Sequence, residues 1–244
     1  MDASPTRRRQ LDAMADITRF QRNLITRAQA HGVGVTDEDL ATYLGDGELG
    51  AFTMVNEAVS EVARADDTFV WRRAAPSEHL DLWAAFLKTR PSLSMTERMH
   101  AGPYPDLVVS HWSVAAVHRI GVFARPPPTF TVLDAQIDVH RPDGVRVVAP
   151  HRPMAKHDVQ ALHWGMYMTT HARMIADLLA DREETSHVGV AAMDIAYRVR
   201  ESTLREQRLN EQLEPFAAEF GVADGAAVWS LLREIGGRSF QPGR

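Results

Sequence analysis

KHDVQALHWGMYMTTHARMIADLLADREETSHVGVAAMDIAYRVRESTLREQRLNEQLEPFAAEF, residues 156–220, is the stretch on which the fold turns. It reads as two long helices joined by a tight polar turn, the first over 158–184 and the second over 188–220. In the second, Val188, Ala192, Ile195, Val199, Leu209, Leu213, Phe216 and Phe220 recur at steps of three and four. That spacing puts them on one stripe, because a helix returns to the same face every three to four residues. Ser202 and Glu206 interrupt the stripe. In the first helix the apolar face is Val159, Leu162, Met166, Met174, Leu178 and Leu179. Thr185 and Ser186 offer the hydroxyl that caps a helix start. Two amphipathic helices joined by a short turn form an antiparallel hairpin. A hairpin alone has too little core, so the rest of the chain is expected to pack against it.

Composition narrows what the chain can be. At 244 residues it holds one large domain or two small ones. A net charge of -5 excludes a protein that coats nucleic acid over its whole surface, but not a local basic patch. There is no apolar run of the ~18 residues that a membrane span requires. Arg7, Arg8 and Arg9 are followed by no apolar segment, so the start does not read as a signal peptide and the protein reads as cytoplasmic. Cysteine is absent, which excludes disulfides, thiolate metal sites and cysteine nucleophiles. Lysine occurs only at Lys88 and Lys156, which closes off phosphate-loop chemistry. The sequence has no Gly-x-Ser-x-Gly elbow, no dinucleotide glycine fingerprint and no His-Glu-x-x-His.

Outward from the hairpin, the chain divides into an N-terminal helical unit at 1–66, a central α+β segment at 67–155, and the C-terminal hairpin and tail at 156–244. The first unit opens on a helix over 6–30 with Leu11, Met14, Ile17, Leu24 and Ile25 on one side. His31 to Gly34 stop it. Thr36 caps a short helix over 37–44, whose first turn holds three acids where the helix dipole favours them. A further helix is expected over 48–65. That pair has helix–turn–helix spacing. Glu48, Glu57 and Glu61 on the presumed reading helix would be repelled by phosphates, so the pair reads as a packing unit.

The central segment alternates in character. Thr68 to Trp71 read as a strand, Ser77 caps a helix ending at Lys88, and Ser94 or Thr96 opens a shorter helix ending at His100. Asp106 to Ile120 fits a helix, although Val108 and Val109 could begin a strand. Beyond the prolines, Thr131, Leu133, Ala135, Ile137 and Val139 alternate with Val132, Asp134, Gln136, Asp138 and His140. That is the signature of a half-buried strand. Arg141-Pro142-Asp143-Gly144 reads as a turn and 145–149 as the returning strand of a β-hairpin. The whole is an α+β fold, mainly helical.

Three groups of residues are candidates for function. Helices near 77–88, 94–101 and 106–120 followed by a hairpin at 129–149 have the order of a winged helix. Arg119, Arg125, Arg141, Arg146, Arg152 and Lys156 give that segment a basic face that could hold DNA phosphates. Five histidines fall within 140–171, and His163, Trp164, Tyr167 and His171 mark a partner-binding face on the first long helix. His163 and His171 are ~12 Å apart along a helix, at about 1.5 Å per residue, so they cannot share one ion. Asp134, Asp138 and His140 on the wet face of the strand could hold a divalent ion as a metal-dependent hydrolase or nuclease. A solvated strand face looks the same.

With no enzyme motif, the sequence favours a non-enzymatic regulatory or accessory protein. It would bind a partner protein and also DNA, as a phage- or plasmid-type recombination or transcription factor does. That reading needs no cofactor and no metal. The rivals are the hydrolase just described and a structural assembly subunit, whose helices would pack as a homo-oligomer.

Overall fold

The computed structural model describes residues 5–47, 49–51, 68–71, 79–100, 105–121, 126–162, 165–198 and 203–239. Its fold is α+β and mainly helical. Among the described residues no helix is long and apolar enough to cross a membrane.

The N-terminal unit consists of α1 (Pro5–Thr18), β1 (Leu24–Thr26), α2 (Arg27–Gly32), α3 (Asp37–Gly45), β2 (Leu49–Ala51) and β3 (Thr68–Trp71). The helix expected over 6–30 is broken in two. Arg22 and Asn23 take left-handed conformations (φ 57° and 61°), which end α1 and turn the chain outward. Leu24, Ile25 and Thr26 then extend to pair with Val70, Phe69 and Thr68. Thr26 also starts α2. Its hydroxyl accepts from the Gln29 amide while the Gln29 side chain accepts from the Thr26 amide. Thr36 caps α3 as expected, in the same reciprocal arrangement with Asp39. The helix expected over 48–65 begins instead as strand β2, and residues 52–67 lie outside the described residues. Met14, Ile25, Ala30, Leu40, Tyr43 and Leu49 form a small core of their own.

In this unit β3 lies between β1 and β2, antiparallel to both. Among the described residues the unit runs helix, strand, two helices and two strands, with the last strand in the middle, which is the order of a winged helix. Val33 to Thr36 join α2 to α3 with Gly34 at φ +79°, the short glycine-containing connection of a helix–turn–helix. The winged-helix order expected at 77–149 is therefore found at 5–71.

The larger body begins with α4 (Leu80–Lys88), α5 (Met95–His100), β4 (Leu107–Val109), α6 (Trp112–His118), β5 (Thr129–Val132) and β6 (Arg146–Val148). It continues through β7 (Val159–Ala161), β8 (Tyr167–Thr169), α7 (His171–Ala180), α8 (Thr185–Arg198), α9 (Thr203–Leu213) and α10 (Gly225–Ser239). The five strands make one mixed sheet in the order β6-β5-β4-β8-β7. β4 is its central strand and is buried throughout. Of the two candidates Ser94 caps α5, its hydroxyl accepting from the Glu97 amide while the Glu97 carboxylate accepts from the Ser94 amide. Ser77 lies outside the described residues. Residues 106–120 are both things the sequence allowed, a strand and then a helix.

Two other expectations are corrected. β6 runs parallel to β5, with Phe130 opposite Val147, so 129–149 is not a hairpin; parallel neighbours need a longer crossover. The strand expected over 131–140 ends at Val132 because Asp134 folds the chain, its Oδ1 accepting from the Gln136 amide at 2.9 Å. The turn at Pro142 does form, with the Val145 amide donating to the Pro142 carbonyl at 3.1 Å.

The first long helix is helical only in its second half, as α7. Val159–Ala161 and Tyr167–Thr169 instead pair antiparallel as β7 and β8, with Gln160 opposite Met168 and Gly165 between them at φ 89°. The second long helix is two separate helices, α8 and α9. Nine of the fourteen apolar residues expected inside are buried, Val159, Leu162, Phe216 and Phe220 are half-buried, and Val199 lies outside the described residues. Met166, Met174, Leu178, Leu179, Val188, Ala192, Ile195, Leu209 and Leu213 are all buried in one core with the central sheet. α8 and α10 meet at Gly189 and Gly236, where no side chain separates the backbones.

Candidate functional site

Strand β4 passes into α6 through Ser110 and His111, which are 0% and 2% exposed. His111 has φ 53° and ψ −140°. A side chain holds such a backbone at a cost of about 1–3 kcal/mol, so its surroundings must enforce it. The Ser110 amide donates to the Thr129 carbonyl at 3.1 Å, which ties the junction to β5. The Ser110 hydroxyl accepts from Thr131 at 2.9 Å and lies 2.8 Å from His111 Nδ1. The imidazole is thus anchored by one nitrogen and presents the other.

α6 and α7 lie side by side in opposite directions. At one end His111 meets Asp181, just past the last turn of α7. At the other, His118 stacks edge-on against His171 with ring centroids 4.5 Å apart. Asp181 is the centre of the first cluster. His151 Nε2 donates to its Oδ1 at 2.5 Å and Arg146 donates to its Oδ2 at 2.6 Å. His111 Nε2 lies 3.1 Å from Oδ2, yet it is buried and makes no hydrogen bond of good geometry. Ligand atoms of His111, His151 and Asp181 all fall within 4.8 Å of one another.

Burial pushes the His111 imidazole down to about 4; Arg146, His151 and Arg173 push the same way, and Asp181 opposes them. His111 is therefore neutral at neutral pH. Burial works to raise Asp181, but the His151 hydrogen bond, His111 and Arg146 together hold its carboxyl below the usual range. A neutral imidazole with an open nitrogen beside an ionised carboxylate can ligate a cation or take a proton from a bound molecule.

Behind this cluster runs a buried ionic stripe. Arg173 and Asp177 lie one turn apart on α7, and the C-cap residue Asp181 follows four residues later. Arg173 Nε donates to Asp177 Oδ1 at 2.8 Å, and its other nitrogens donate to the carbonyls of Arg152 and Pro153. Asp158 lies 3.7 Å from Arg173 and accepts from Gln212 at 2.7 Å, while Arg152 donates to Gln212 Oε1 at 2.6 Å. Asp177 Oδ2 is buried without a partner, and burial raises the Asp177 carboxyl against the pull of Arg173.

The opposite end of β4 shows what a purely structural network looks like. Asp106 takes the Leu107 amide on one oxygen and both Arg98 and Arg90 on the other. Arg98 also donates to the Phe86 carbonyl at 2.7 Å and lies 3.8 Å over the Phe86 ring. The Arg98–Asp106 contact uses both partners fully. The His111 end keeps an imidazole nitrogen open.

The residues singled out from sequence are dispersed. Arg146 and Arg152 turn toward Asp181 and Gln212. Arg119, Arg141 and Lys156 are exposed, and Arg125 lies outside the described residues. His163 and Trp164 also lie outside the described residues. Tyr167 is on β8 and His171 opens α7. His171 lines a cleft of about 350 Å³ with His157, Gln160, Glu206 and Arg208. Asp138 and His140 are exposed on the loop after β5, and Asp134 closes its own turn. These three do not converge; among the described residues the one convergent group of histidines and carboxylates is His111, His151 and Asp181.

Of the three, only His151 belongs to the histidine-rich stretch 140–171 that the sequence marks out. The junction was findable, since a polar pair follows three apolar residues and precedes a helix. Nothing local in the sequence ties Asp181 to it. No known protein family matches the chain, and no curated protein resembles it significantly.

Proposed function

We propose that the protein is a non-enzymatic regulatory or accessory factor of the cytoplasm, which docks on DNA through its N-terminal unit and binds a partner protein through its C-terminal helices. One observation carries the reading. The α2–α3 pair with the β1-β3-β2 sheet has winged-helix order. In such units the second helix of the pair approaches the major groove.

The charge on this unit decides how DNA would be held. α3 exposes Asp37, Glu38, Ala41 and Thr42, which offer no guanidinium or amide fork to a base edge. Asp37 is tied to Arg27 and His31, and Asp39 to Thr36 and Gln10, so part of the acidity is spent inside the unit. Positive charge projects from α1, where Arg8 and Arg9 are exposed. The contact is then chiefly with phosphates. It is weak and unselective, and the partner supplies the address. Tyr197 on α8 is 90% exposed, the kind of aromatic anchor that interfaces favour.

Fluorescence anisotropy with a labelled duplex tests this. Affinity should fall steeply with salt, with a slope of about −0.9 per phosphate contacted, and Arg8→Ala with Arg9→Ala should reduce that slope by about 1 to 2. No binding at low salt, or binding indifferent to salt and to both substitutions, overturns the DNA half of the reading.

A further inference from the structure

We infer that His111, His151 and Asp181 form a binding site for a divalent transition-metal ion of the zinc class. The three groups come from separate parts of the fold: the β4–α6 junction, the loop after β6, and the end of α7. Their ligand atoms lie within 4.8 Å of one another, close enough to close on one ion with small side-chain shifts. Two imidazoles and one carboxylate suit zinc or cobalt and not magnesium or calcium, which take oxygen ligands. Three protein ligands leave one tetrahedral position to water.

Three further features point the same way. His111 Nε2 is buried and makes no hydrogen bond, although its ring is 98% shielded; an open lone pair of this kind is costly unless something uses it. Its other nitrogen is fixed by Ser110, which itself accepts from Thr131, the outer support that ligating histidines have. The strained backbone of His111 aims the ring at the cluster and not into the core. Against the ion stands Arg146, whose guanidinium holds Asp181 Oδ2. Its side chain is 41% exposed, so it can swing into solvent as the ion enters.

The full chain, stripped with chelator and titrated with Zn²⁺ by calorimetry at pH 7.5, decides the matter, with Co²⁺ absorption as a second readout. One Zn²⁺ should bind per chain. His151→Ala changes an exposed loop residue, so the fold stays intact by circular dichroism, and it should weaken binding by at least about tenfold. Asp181→Asn should do the same, and where that variant unfolds, His151→Ala decides alone. Arg146→Ala should tighten binding by removing the competing cation. The Co²⁺ adduct should show the intense visible bands of a four-coordinate ion and lose them in His151→Ala. Exposed His157, outside the cluster, supplies the control His157→Ala, which should leave binding unchanged. No stoichiometric binding, or an affinity that His151→Ala leaves intact or that His157→Ala removes, overturns the site.

Discussion

Acidification from pH 8 to pH 5 should cost the folded protein about 2 kcal/mol through His111 alone, given an unfolded value near 6.5 and a folded value near 4. Burial depresses the folded value, so between these limits the unfolded chain binds the proton and the folded one does not. Stability contributed this way is complete above the unfolded value and is lost as the pH falls toward 4. Asp177 acts in the opposite sense. Its carboxyl is raised by burial, so the fold gains from it as the pH falls. Asp181 is held low and does not titrate within the window. The clean measurement is therefore a difference. Urea unfolding, extrapolated linearly to water in the presence of chelator, is compared at pH 8 and pH 5 for the wild type and His111→Gln. Asp177 contributes to both proteins and cancels. The wild type should lose about 2 kcal/mol more than the variant. Equal losses would refute the argument that His111 is folded into the interior uncharged.

The remaining predictions concern stability. At His111 glycine should be better tolerated than alanine by about 1 kcal/mol in urea unfolding, the reverse of the usual order, because φ 53° with ψ −140° is a glycine conformation. Gly236→Ala should destabilise by about 1–3 kcal/mol or more, since its Cβ would sit 2.2 Å from the Gly189 carbonyl oxygen; hydrogen exchange should show α10 losing protection first. Arg173→Met should cost about 3–5 kcal/mol by leaving Asp177 buried and uncompensated, while Arg173→Met with Asp177→Leu should recover most of that loss in thermal unfolding.

Burial was more legible in the sequence than secondary structure. Met166, Met174, Leu178, Val188, Ile195, Leu209 and Leu213 were expected inside and are inside. Yet Met166 faces the core from beside a strand and Leu209 from a helix separate from α8. An apolar residue every three or four positions fits a helix, but over five residues a strand supplies the same hits. Gly165 was the signal that tells them apart, because its positive φ marks a hairpin turn where a helix would have to continue. The strand expected over 131–140 failed for a different reason. Its alternation is real, but a strand exists only where a neighbour supplies hydrogen bonds, and β6 comes alongside at 129–131. In the N-terminal unit the caps at Thr26 and Thr36 were local and strong, and Thr36 was read correctly. Thr26 was hidden inside an unbroken amphipathic pattern. The candidate site was least legible, since His111 and Asp181 are brought together only by the antiparallel packing of α6 on α7.

The two ends of β4 are fixed in different ways. A strand of three residues makes few ladder hydrogen bonds, so each end must be fixed by side chains. At Asp106 the fixing group is a carboxylate that meets two guanidiniums and a backbone amide, and nothing there is left to react. At His111 the fixing groups are Ser110, Thr131 and the packing of α7, and they hold the ring by its back and edge. A leucine at 111 would fill similar space without a buried ring nitrogen that lacks a partner, although its backbone would be strained in the same way. Buried polar groups that could be replaced by apolar ones at no loss of stability add little to the fold by themselves. The unused nitrogen of His111, the strained backbone that aims it, and the hold of Arg146 and His151 on Asp181 are the features on which the proposed metal site rests.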